Sequence, residues 1–168
     1  MSRLIKLSFL LVLGVLISCG SKEEKPSGKI QIGQKMKVET KKEAPVSTEV
    51  PASQRITLDN KGVGEIKSLT LDATIDNAMV ERGAALFKTN CTACHKTDKR
   101  FIGPNPTGIL ERRSPEWVMN MILDPKLMTE EDQCAKDLLI EFNGAAMANQ
   151  NLTEQQSRDI LEYFRTLK

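Results

Sequence analysis

Five consecutive residues, Cys91-Thr92-Ala93-Cys94-His95, concentrate the chemistry of this chain. Two thiols three positions apart share one turn of chain, and an imidazole follows at once. From that spacing both sulfurs reach the two vinyl groups of a haem while the imidazole lies under its iron, which makes the run an attachment signature for c-type haem. Two other uses of the same residues are weaker. A thioredoxin-like redox pair needs a strand before it and a long amphipathic helix after it. Here Lys96-Thr97-Asp98-Lys99-Arg100 is wholly polar, and Gly103, Pro104 and Pro106 break a helix. A zinc site needs more soft ligands. His95 is the single histidine, which excludes a His-rich zinc centre, a bis-histidine haem and any triad that needs a separate base. The motif occurs once, so one covalent haem is expected.

Four helices are expected to position these groups. Asp76 can cap the first, where Met79, Gly83 and Phe87 recur every fourth residue along one face. Ser114-Pro115 starts the second, with Ser as N-cap and Pro at the first helical position, and Asp124-Pro125 stops it. Thr129 and the three acids after it start the third, whose apolar side holds Leu138, Leu139 and Phe142 and which ends near Gly144. Thr153 and Gln156 form a capping box for the fourth, striped by Ile160, Leu161, Phe164 and Leu167 with Tyr163 beside them.

In this order the region from Asp76 to Lys168 resembles the small class I cytochromes c. The resemblance rests on Gly83-Ala84-Ala85-Leu86-Phe87 just before the first cysteine, Gly103-Pro104 shortly after the histidine, and the closing amphipathic helix. It implies an all-α fold, a small helical domain around one covalent haem c, with the first and last helices crossing where Gly83 permits close approach. The sixth iron ligand cannot be a second histidine, and methionine is the next choice among Met79, Met119, Met121, Met128 and Met147. Met79, Met119 and Met121 sit on helix faces where Met more often fills core. Met147 stands in the small-residue loop Asn143 to Asn149, where the resembled family places its ligand; Ala148 follows it where that family often has proline. Met128 is the alternative.

A ligating imidazole donates its other N–H to a carbonyl or carboxylate. The resemblance suggests the Pro104 carbonyl for that role, with Pro106 as a shifted alternative. It also suggests that Trp117, helped by Arg112 or Arg113, bonds a haem propionate; the plainer reading is a core Trp and a solvated Arg pair. Cys134 reads as a small buried hydrophobe, with a dimer disulfide or a reactive thiol as the other options.

His and Met ligation fills both axial sites, favours a comparatively high potential and leaves no place for a substrate. An electron carrier with no catalytic residues and no small-molecule substrate is therefore expected, passing single electrons between a donor and an acceptor protein. The alternative is a haem peroxidase, a small-gas-binding protein or a sensor. Each needs a labile sixth site, and a peroxidase usually needs a distal acid-base group for which no second histidine exists. Lys96, Lys99 and Arg100 are candidate docking charges. The segments Asn60 to Gly64, Arg112 to Trp117 and Met147 to Thr153 resemble a lipoprotein cytochrome subgroup of anaerobic respiration, which would make a terminal reductase such as nitrous oxide reductase the acceptor.

Composition fits this reading. The 168 residues carry 24 Lys/Arg and 22 Asp/Glu, but the first 55 hold ten of the basic residues and five of the acids. The remainder is mildly acidic, which disfavours nucleic acid as a partner. Residues 1–18 open with Arg3 and Lys6, run apolar from Leu7 to Ile17 and end on Ile17-Ser18-Cys19, resembling a bacterial lipoprotein signal. The resemblance implies cleavage before Cys19 and lipidation of its thiol. The run is shorter than the roughly 20 residues that span a bilayer. Residues 19–55 have the lysine and proline content of a flexible linker, with a reach of roughly 30 to 36 Å. Residues 56–75 are an extended lead-in, and 76–168 the haem domain. A monomer, lipid-anchored in a bacterial cell envelope and facing the periplasm, is expected.

Overall fold

The computed structural model describes residues 50–168. The signal at 1–18, Cys19 and the linker as far as residue 49 lie outside the described residues. Five α-helices follow in order: α1 Asn77–Asn90, α2 Pro115–Leu123, α3 Pro125–Glu131, α4 Gln133–Glu141 and α5 Glu154–Thr166. A single 3-10 turn, Ile109–Glu111, lies between α1 and α2. Among the described residues there is no strand, and no helix is long and apolar enough to cross a membrane.

Side-chain caps set most of the helix starts. Asp76 accepts from Met79 N–H at the start of α1, and Ser114 accepts from Trp117 N–H at the start of α2. Thr153 and Gln156 make a reciprocal capping box on α5. The stripe on α5 faces inward: Ile160 and Leu161 are fully buried and contribute about 1.5–3 kcal/mol each. Helices α1 and α5 cross where a Cβ on Gly83 would overlap the Asp159 carbonyl oxygen, so only glycine allows this approach. Phe87 of α1 meets Tyr163 and Phe164 of α5 with ring centroids 5.6 Å apart in both pairs.

Two expectations change. Asp124-Pro125 ends α2 but also starts a new helix, because the Asp124 carboxylate accepts from Leu127 N–H while Pro125 takes the first helical position. Thr129 therefore lies inside α3, its hydroxyl donating to the Pro125 carbonyl at 2.9 Å, and does not start the next helix. Asp132 starts α4 instead, accepting from Ala135 N–H at 2.8 Å. The same carboxylate accepts from Trp117 Nε1 at 3.0 Å and Asn60 Nδ2 at 2.7 Å. One buried anion thus satisfies three donors from three segments and fixes the chain reversal.

The second change is at the amino-terminal edge. Residues 51–55, expected to belong to the linker, are built into the domain. Ala52 is buried, Arg55 pairs with Asp137 at 2.7 Å, and Arg113 donates to the carbonyls of Ala52 and Arg55. The lead-in beyond them is a strap held by polar side chains of α2 and its N-cap. Ser114 donates to Asn60 O at 2.6 Å. Asn120 accepts from Ile66 N–H and donates to Lys61 O and Ile66 O, each at 3.0 Å. Glu116 accepts from Leu69 N–H at 3.1 Å. These are backbone groups of an irregular segment, and each side chain supplies the partner that a neighbouring strand would otherwise give.

A candidate haem cleft

Helix α1 ends on Cys91, whose N–H closes onto the Phe87 carbonyl, and the chain then turns so tightly that Cys94 and His95 N–H both reach Cys91 O, at 3.0 and 2.8 Å. The turn presents Cys91, Cys94 and His95 to one cleft, which encloses about 1100 Å³ of empty space including its open mouth. Pro104, Arg112, Arg113, Trp117, Met121, Leu138, Phe142 and Met147 also line it.

The imidazole is held from two directions. His95 Nδ1 lies 2.8 Å from the Pro104 carbonyl oxygen, the partner being Pro104 and not Pro106. A carbonyl only accepts, so Nδ1 carries the hydrogen and Nε2 keeps its lone pair for a metal. Gly103 packs flat on the ring: a Cβ there would stand 2.5 Å from Cε1 and 2.8 Å from Nδ1. Gly103 N–H in turn donates to Cys94 O at 2.8 Å, so the short loop closes back on the motif. Burial, with a smaller contribution from the neighbouring Cys94, pushes the Cys91 thiol up to about 11.

Met147 enters from the loop after α4. Asn143 and Gly144 take left-handed conformations at φ 58° and 76°, turning the chain away from the helix axis. Asn149 Nδ2 anchors the far side of the loop to Leu123 O at 3.1 Å, and its Oδ1 accepts from Asn151 N–H at 2.7 Å. The other methionines separate clearly. Met119 is buried in the core, and Met128 is fully buried with its sulfur accepting Val63 N–H at 3.1 Å. Neither Met128 nor Met79 lines the cleft, whereas Met121 does. Sequence reasoning placed Met121 in core; its position one turn after Trp117, on the same face, is the signal that puts it here.

Trp117 faces the cleft, but its N–H is already given to Asp132, and Arg113 is a buried cation rather than a solvated one. Burial pulls the Arg113 guanidinium below its usual range, and its two terminal nitrogens are covered by carbonyls of Ala52, Arg55 and Arg112. The Nε atoms of Arg112 and Arg113 are buried without a partner. Cys134 sits in the apolar core, where burial raises its thiol. Among the described residues no group of three His, Cys, Asp or Glu side chains converges to hold a metal ion.

This donor set fits a haem. The lining is apolar over Ile102, Leu138, Leu139 and Phe142, one imidazole is oriented for iron, two thiols flank it, and two buried Arg Nε–H groups at the wall lack acceptors that haem carboxylates would supply.

The cytochrome c family model matches residues 80–168, more than half of the chain. Cytochrome c2 of Rhodopseudomonas palustris is 28% identical over an alignment that covers 52% of this chain and 96% of that protein. Cytochrome c from Rhodothermus marinus superposes with a TM-score of 0.60 at 37% identity, covering 70% of this chain and 93% of that one. An engineered form of the Rhodothermus protein, bound to a carbene intermediate, superposes at 0.58 with the same 37% identity, covering 70% of this chain and 94% of that one. The chain therefore belongs to the cytochrome c family, whose members carry one covalent haem c and transfer electrons.

Proposed function

We propose that Cys91 and Cys94 would carry the haem through thioethers, that His95 Nε2 and the Met147 sulfur would hold its iron, and that the protein is a carrier and not an enzyme. The observation that supports this most is the pairing of His95 Nδ1 with Pro104 O at 2.8 Å, in a cleft that Met147 also lines. When bound, the haem supplies reversible one-electron chemistry between ferrous and ferric iron. The chain's own residues do the rest. Pro104 and Gly103 fix the ring and its tautomer, so that His95 meets the metal without reorganising. Leu138, Leu139 and Phe142 exclude water, which keeps the local dielectric low. Met147 supplies a soft neutral donor that favours the reduced state.

In this reading residues 1–18 are removed, Cys19 carries lipid, and the domain works as a monomer in a bacterial envelope, facing the periplasm. The donor and acceptor are redox proteins, and no small-molecule substrate or nucleic acid is used. The resemblance of three segments to a respiratory lipoprotein subgroup supports a terminal reductase, nitrous oxide reductase in particular, as the acceptor. Intact mass of protein matured with a haem-attachment system tests the covalent site: one haem added, surviving acid-acetone, is expected. Extractable haem would contradict it. Cys19→Ala is expected to release a soluble protein with an unchanged spectrum, and retention in salt-washed membranes would overturn the lipid assignment.

A further inference from the structure

A three-way clasp joins the amino-terminal strap, the loop behind His95 and the end of α4. Glu141, the last residue of α4, accepts at one oxygen from Ser53 N–H at 2.8 Å and at the other from Ser53 Oγ at 2.6 Å. The second oxygen also takes Arg100 Nη1 at 2.9 Å, while Arg100 Nη2 donates to the Glu141 backbone carbonyl at 2.6 Å. The Arg100 guanidinium lies over the Phe142 ring, 3.9 Å from its centroid. Phe142 is buried and lines the cleft, and the chain leaves it directly into the loop that carries Met147. Arg100 is itself well placed to act as an anchor. Its neighbours Phe101 and Gly103 are bonded to each other, and Gly103 to Cys94 O, so it rides on the loop that packs His95.

Apart from the backbone bonds that close α4, Gly144 N–H to Leu139 O at 2.8 Å and Ala145 N–H to Phe142 O at 3.1 Å, and the packing of Met147 on the core, the loop has few ties. Ala145, Ala146 and Ala148 are exposed and small, with no side chain that can pin them, and the loop is tied mainly at its two ends. The far end hangs on Asn149. At the near end the clasp adds the side-chain anchors to those backbone bonds, and its bonds are charge-assisted and paired in fixed geometry, unlike a lone surface ion pair.

From this juxtaposition we infer that Ser53, Arg100 and Glu141 are positioning residues for the sixth ligand: they hold the near end of the Met147 loop closed, so that Met147 stays on the iron. The inference rests on the proposed role of Met147. It also makes the amino-terminal strap part of the ligand machinery, since Ser53 supplies two of the bonds.

The test uses the full chain with haem attached, in the ferric state. Added imidazole can bind only when Met147 has left, so its association rate reports loop opening. Glu141→Gln and Ser53→Ala are each expected to speed imidazole binding about tenfold, with the weak red iron-to-sulfur absorption still present and the melting temperature little changed. Arg100→Lys, which keeps the charge but loses the second bond and the stacking, is expected to fall between these and the parent. Unchanged rates in Glu141→Gln and Ser53→Ala would overturn the clasp while leaving Met147 as ligand. Survival of the red absorption in Met147→Ala would instead overturn the ligand assignment, and the clasp with it. Should Glu141→Gln fail to fold, Ser53→Ala and Arg100→Gln, the latter at a half-exposed side chain, decide the matter.

Discussion

His95 has two nitrogens, and the surrounding chain assigns them different work. The Pro104 carbonyl takes the Nδ1 hydrogen and Gly103 leaves room for the ring, so Gly103 is as specific to this site as the proposed ligand His95. Gly103→Ala puts a methyl group 2.5 Å from Cε1, so the ring must tilt and the bond to Pro104 weakens. That bond makes the imidazole a stronger donor and favours ferric iron. A tenfold loss of this preference corresponds to about 59 mV for one electron, so the reduction potential of Gly103→Ala is expected to rise by that order. Redox titration checks it, and a lowered potential would contradict the assigned role. The Cys-x-x-Cys-His run and the Gly-Pro pair were legible in sequence because they are local. The roles of Trp117 and Arg113 were not, because their partners Asp132, Ala52 and Arg55 lie 15 to 61 residues away.

Helix starts were legible at Asp76, Ser114 and Thr153, where a capping side chain follows non-helical chain, but not at Asp124 and Asp132, which also cap their own turns yet sit where one helix runs straight into the next. Asp124-Pro125 was ambiguous in sequence, since the same pair stops one helix and starts another, and only the tertiary demand on Asp132 decides where α4 begins. The strap was illegible for a related reason: irregular backbone leaves no period, and its bonds come from α2. Two substitutions test the packing of elements. Gly83→Ala forces α1 away from the Asp159 carbonyl and is expected to cost about 1–3 kcal/mol, read as a lowered denaturant midpoint. Glu162, almost wholly buried, binds Arg158, Arg165 and Asp76 N–H. Burial pushes its carboxyl up, but these donors outweigh burial and hold it below the usual carboxylate value of 4.5. A depressed carboxyl contributes stability above about pH 4.5 that is lost as pH falls through its lower folded value. Glu162→Gln is expected to destabilise the protein by about 2 kcal/mol at pH 7 and to flatten its loss of stability in acid. Equal acid sensitivity in parent and variant would refute that sign.

The described domain, residues 50–168, carries the candidate haem cleft and, directly after its motif, the basic residues Lys96, Lys99 and Arg100, and the proposed electron transfer to another protein would draw on both. Of the three basic residues singled out in sequence, Arg100 is engaged by Glu141 and Lys96 donates to Thr92 O while lying over Phe101. Lys99 is exposed. Lys99→Glu is therefore expected to flatten the salt dependence of electron transfer to the acceptor more than Lys96→Glu does, within an overall fall of about tenfold from low to high salt. Stopped-flow rates at several ionic strengths check this, and indifference to salt would leave these charges as a solvated rim. The all-helical fold and the haem were readable from the chain because the motif, the caps and the apolar stripe agree with one another. Met147 is singled out by its loop and its place in the chain, while the position of Met128 off the cleft, its sulfur bonded by the strap, is visible only in the fold. The most direct test of the carrier reading is the weak red iron-to-sulfur absorption of the ferric protein, compared in the parent, Met147→Ala and Met128→Ala. The account predicts the band in the parent and in Met128→Ala and its loss in Met147→Ala. A band that survives in Met147→Ala, or is absent from the parent, would contradict it.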